Sequence, residues 1–202
     1  AVPSPHAMIA YAKHSDYARL VDQHPTKMPG WVSLYAGAYK LQCSDLATMF
    51  AYDEYPEVFQ RDGRDVPLLL VDSCQEISDG FADAVAQWFG PGKVLLTDGP
   101  LAAKLARPTT EKVESADIGR PRGEDYATAT PVIDTNGWQP LRTFHGKPIV
   151  FVAGSAATGL LIYSAVPLAR LSQSDLVSLC DYALQQVGVA RAKLTSDMPR
   201  EV

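Results

Sequence analysis

The stretch that decides the fold runs from Val66 to Thr97, VPLLLVDSCQEISDGFADAVAQWFGPGKVLLT. It opens with a short continuous apolar run, Val66 to Asp72, the pattern of a strand buried on both faces. From Ser78 the spacing changes: Phe81, Ala84, Val85 and Trp88 fall on one side of a helix that Gly90 ends. A second short apolar run follows, Lys93 to Thr97. Strand, helix and strand at such short intervals make a βαβ unit, and hence a mainly parallel sheet with right-handed crossovers.

Working outward on the N-terminal side, Trp31 to Ala36 (WVSLYA) reads as a strand rich in β-branched and aromatic residues, ended by Gly37. Before it, His14 to Gln23 has helical spacing with Ser15 as N-cap. Residues 1–13 are expected to be a loose leading segment. Ser44 and Asp45 can cap a helix through Leu46, Met49 and Phe50, and Asp53 to Asp65 reads as a charged loop.

On the C-terminal side, residues 107–130 are rich in Thr, Pro, Glu and Arg and read as a long irregular excursion. Order returns near Trp138. Pro148 to Ala153 and Leu160 to Ala165 are two strand-like runs joined through Gly154, Ser155 and Gly159, a hairpin. Ser172 opens a last helix with Leu176, Leu179, Cys180, Ala183, Leu184 and Val187 on one face and Gly188 at its end. Residues 190–202 form a polar tail expected to fray. The whole chain, 1–202, reads as one domain.

Composition narrows the function classes. The chain has 202 residues, 47% of them hydrophobic, and a formal net charge of -5, so neither disorder nor a basic nucleic-acid footprint fits. No run approaches the roughly 18 apolar residues of a membrane span, and the N-terminus does not read as a signal peptide. Three scattered cysteines, Cys43, Cys74 and Cys180, form neither a disulfide framework nor a zinc motif. They suit synthesis in the reducing cytoplasm, and equally export by a specialised secretion system as part of a larger protein. Asp16, Asp22, Asp72, Asp98 and Asp134 show no metal-ligand spacing, and no cofactor motif is present. The small residues from Gly154 to Gly159 lack the lysine and spacing of a phosphate loop, so a plain turn is the expected reading.

Chemistry is expected at the carboxyl ends of the parallel strands. Two segments end there: Ala36-Gly37 after the first strand, and Asp72-Ser73-Cys74-Gln75 after the central one. Cys74 faces the start of the next helix, where a thiolate is stabilised by the positive end of the helix dipole. Asp72 either orients a base or simply ends its strand. Cys43 and Cys180 fall in expected helices as packing residues.

The order WVSLYAG, CSDLATMF, VPLLLVDSC and DGFADAVAQWFGPGKVLLTDGP resembles the caspase-like, clan CD-type cysteine peptidase domains of bacterial polymorphic toxins of the Rhs and filamentous-haemagglutinin kinds. The resemblance covers about Asp16 to Pro100. It implies an α/β, three-layer caspase-like sandwich around a mainly parallel sheet, and a toxin or effector domain that takes a protein or peptide substrate. A cognate immunity or chaperone protein is the other partner it implies. Ser73-Cys74 matches the family's nucleophile position, with backbone N–H groups near Gly37 and Cys74 holding the oxyanion. The family's histidine position is occupied by Ala36, as natural loss or a deliberate exchange would leave it. Tyr35 and Tyr39 cannot replace an imidazole, since a phenol keeps its proton up to a pH of about 10. Of the four histidines, His6, His14 and His24 lie in surface contexts, and His145 is the alternative base. His145 precedes its strand, which would put it at the far edge of the sheet if that strand were parallel. The rival reading is a non-catalytic interaction module that keeps the fold without the dyad.

Overall fold

A computed structural model of the chain describes residues 7–11, 47–52, 56–72, 77–105, 133–168, 171 and 173–188. Their elements, in chain order, are β1 (Ala7–Tyr11), β2 (Ala47–Ala51), α1 (Glu57–Asp62), β3 (Leu68–Val71), α2 (Asp79–Trp88), β4 (Val94–Asp98), α3 (Gly99–Leu105), β5 (Gln139–Phe144), β6 (Lys147–Ser155), β7 (Gly159–Ser164) and α4 (Gln173–Gln186). The strands form one seven-stranded sheet in the order β2-β1-β3-β4-β7-β6-β5. The first five strands in that order are parallel, and β6 and β5 run antiparallel. The α/β class with a mainly parallel sheet is therefore the observed one.

The deciding stretch folds as its pattern requires. All four residues of β3 and all five of β4 are buried, which is why both appear as unbroken apolar runs rather than alternating ones. Leu68, Leu70, Val94, Leu96, Leu160 and Ile162 point to one face and pack on Leu179, Cys180, Ala183 and Leu184 of α4. Leu69, Val71 and Leu95 point to the other, against Phe81, Ala82 and Val85 of α2 and Leu101 of α3. Each such buried aliphatic side chain contributes about 1.5–3 kcal/mol. The cores on the two faces thus come from alternate residues of the same strands.

Helix α2 starts where its cap residue dictates. Ser78 is extended (φ -64°, ψ 146°), and its Oγ accepts the Phe81 N–H at 3.3 Å. The helix stops at Trp88, with the Phe89 N–H donating to the Val85 carbonyl. At the amino edge of the sheet, Lys93 Nζ donates to the carbonyls of Arg64 (2.6 Å) and Val66 (2.9 Å) and lies 5.4 Å from the Trp88 ring centre. Trp88 Nε1 donates to the same Val66 carbonyl. One ammonium therefore ties the starts of β3 and β4 to the end of α2.

Three expectations are corrected. Residues 7–11 are not part of a loose leader: β1 sits between β2 and β3, with Met8 and Ala10 fully buried. Prolines 3 and 5 and the small side chains suggested looseness, but pairing on both sides overrides local composition. Residues 47–51 form a strand where a helix was expected. Ala47–Ala51 pairs with all five residues of β1 in parallel register. Over so short a stretch, Leu46, Met49 and Phe50 do not distinguish helical spacing from a strand. The expected loop at 53–65 contains α1, anchored by buried Phe59 and closed by the Gly63 N–H on the Phe59 carbonyl at 2.8 Å. The remainder of residues 1–13, the helix expected at 14–23, the strand at 31–36, the excursion at 107–130 and the tail at 190–202 lie outside the described residues.

The hairpin expected around Gly154 is present as β6 and β7, paired from Val150↔Ser164 to Ser155↔Gly159. Its closeness explains Gly154: φ is +82°, and a Cβ there would meet the Gly159 carbonyl oxygen at 2.1 Å. Strand β5 was not foreseen beyond the order near Trp138. Its register against β6 breaks twice, between Pro140 and Arg142 and between Arg142 and Thr143. Among the described residues no helix is long and apolar enough to cross a membrane.

Candidate functional site at the carboxyl edge of the sheet

The strand order reverses direction between β1 and β3: the chain leaves β1 for β2 on one side and returns to β3 on the other. In doubly wound sheets such a switch point opens a crevice at the carboxyl ends of the two strands. Tyr11 ends β1 and Asp72 follows β3 at this point. The Asp72 N–H donates to the Ala10 carbonyl at 3.0 Å, so the two strands stay paired to the rim.

Among the described residues, the buried Asp, Ser and Thr side chains are Asp72, Thr97, Asp98 and Ser164, and all stand at the carboxyl ends of β3, β4 and β7. Burying a polar group without a partner costs several kcal/mol, so their bonding matters. Thr97 Oγ1 donates to the Val71 carbonyl at 3.0 Å. Ser164 Oγ donates to the Val166 carbonyl at 2.6 Å and accepts the Val166 N–H at 3.2 Å. Asp98 Oδ2 accepts the Leu168 N–H at 3.0 Å. Asp98 is in register with Ser164, while Asp72 and Asp98 each lie one residue beyond the Val71–Thr97 pair. Two buried carboxylates and a hydroxyl thus line up across three adjacent strands. The turn after β7 hangs from two of them.

Asp79 and Lys104 form an ion pair that joins α2 to α3 beside this edge. The Lys104 ammonium holds the Asp79 carboxyl below the usual carboxylate range. Both side chains face solvent, so the pair adds little stability.

Of the residues singled out in the sequence, Asp72 is buried at the switch point, directly after β3. Ser73 and Cys74 belong to the connection from β3 to α2 and lie outside the described residues, as do Ala36 and Gly37. His145 is exposed in the turn from β5 to β6, at φ 47°, with its ring 4.2 Å from that of Phe144. Strand β6 is antiparallel to β7, so this turn lies at the carboxyl edge and not at the opposite one. Strands β4 and β7 separate β3 from β6. That is three strand spacings, or about 14 Å, so His145 is not brought to the end of β3. Sequence reasoning placed Asp98 at the end of its strand without naming it as a site residue, and missed Ser164. Asp98 had a signal, an aspartate directly after an apolar strand run, the same pattern that marked Asp72.

No group of three or more His, Cys, Asp or Glu residues is placed to hold a metal ion among the described residues. No protein-family model matches the chain, and no curated protein sequence matches it either. Solved structures do. A β-galactosidase from Bacillus circulans sp. alkalophilus matches 94% of this chain over 32% of its own, with 10% identity and a TM-score of 0.51. The exo-β-1,4-mannosidase Op5Man5 from Opitutaceae bacterium strain TAV5 matches 98% of this chain over 37% of its own, with 13% identity and a TM-score of 0.45. A ThuA-like protein from Bacteroides uniformis matches 92% of each chain, with 11% identity and a TM-score of 0.45. The chain spans about a third of the length of the two glycosidases. At these identities the first likeness speaks to the fold alone.

Proposed function

We propose that this chain is a non-catalytic interaction domain whose working surface is the carboxyl edge between β1 and β3, and that a protein or peptide is its partner. One observation carries the reading. The hydroxyls and the carboxylate oxygen whose partners are known at this edge are engaged with the chain's own backbone, at Val71, Val166 and Leu168. Groups committed in this way shape a rim and hold its turns. The one described histidine stands about three strand spacings away, and the sequence has Ala36 where the resembled peptidases carry theirs.

A second reading is favoured by the place of Cys74, two residues beyond Asp72 in the connection that leads to the Ser78 cap. In it, the chain is an active cysteine hydrolase of a bacterial toxin or effector, with Cys74 attacking a peptide carbonyl and forming an acyl-enzyme. Thiol labelling of the native chain separates the two. The interaction-domain reading expects Cys74 to react with iodoacetamide at neutral pH no faster than a free cysteine in a denatured control. A rate at least tenfold higher, falling only below pH 6, marks an activated thiolate and overturns it. Expression that is toxic in the wild type and harmless in the Cys74→Ala variant supports the second reading.

A further inference from the structure

We draw no further inference here: the strongest candidate, the outer edge of strand β2, whose sequence Ala47–Ala51 carries no charge and no proline, carries nothing because nothing among the described residues shows what covers it.

Discussion

The Leu168 N–H donates to the Asp98 carboxylate across seventy residues of chain, at 3.0 Å and out of contact with solvent. This bond fixes the turn that carries the chain from β7 toward α4. Val166, Leu168 and Leu171 of that turn belong to the core on the α4 face. Replacing Asp98 by Ala leaves a buried N–H without an acceptor, a penalty of about 1–3 kcal/mol. Urea unfolding followed by circular dichroism is expected to show a loss of that size. Asp98→Asn, which keeps an oxygen acceptor, is expected to lose less.

Gly154 and Gly137 both have positive φ, +82° and +80°, but only Gly154 is crowded. Alanine at either position carries the left-handed backbone penalty of about 1–2 kcal/mol. At Gly154 the new methyl also meets the Gly159 carbonyl oxygen, so the hairpin must open. The expected order of melting temperature is wild type, then Gly137→Ala, then Gly154→Ala. Equal melting temperatures for the two variants would contradict the close approach of β6 and β7.

Ser78 closes the connection that contains Cys74, because its Oγ holds the Phe81 N–H at the first turn of α2. Ser78→Ala is expected to cost about 1 kcal/mol. Hydrogen exchange should locate the loss: the Phe81 amide speeds up while the amides of β4 do not. Uniform acceleration across the chain would mean that Ser78 acts on global stability and not as a cap.

Cys180 is fully enclosed in the α4 face, and burial pushes its thiol well above the ordinary value, with Asp181 adding to the effect. The unfolded chain therefore loses this proton at a lower pH than the folded one. The contribution is fully present below the ordinary thiol pKa and is lost as pH rises beyond it, toward the raised native value. Iodoacetamide at pH 9 is expected to spare Cys180 in the native protein and to modify it once urea unfolds the chain. Modification under native conditions at the rate seen in urea would show that α4 does not stay packed.

Much of the fold was legible because the two central strands are buried on both faces and leave no choice of pattern. VPLLLVD and KVLLT are strand-length apolar runs on either side of a helical pattern, and Ser78 and Gly188 marked helix ends. The sheet's other half was harder to read. AMIAY and ATMFA are short and built largely from helix-tolerant residues, and only their pairing with each other, and that of AMIAY with β3, makes them strands. The candidate edge was visible through Ala36-Gly37 and Asp72-Ser73-Cys74-Gln75, of which Asp72 is among the described residues. How far His145 lies from the end of β3 depended on the strand order, which places β4 and β7 between β3 and β6 and which one sequence cannot state. The partners of Asp98 and Ser164 were hidden for a related reason, since they lie in a turn that is distant from Asp98 along the chain.

Among the described residues the sheet ends on that side at β5, whose register against β6 is twice broken. A proline and an arginine within the strand and two successive irregularities against β6 leave an outline that a second flat strand cannot follow. Concentrated solutions of this protein should therefore not build ordered stacks from that flank. Backbone pairing between copies is disfavoured along β5 itself.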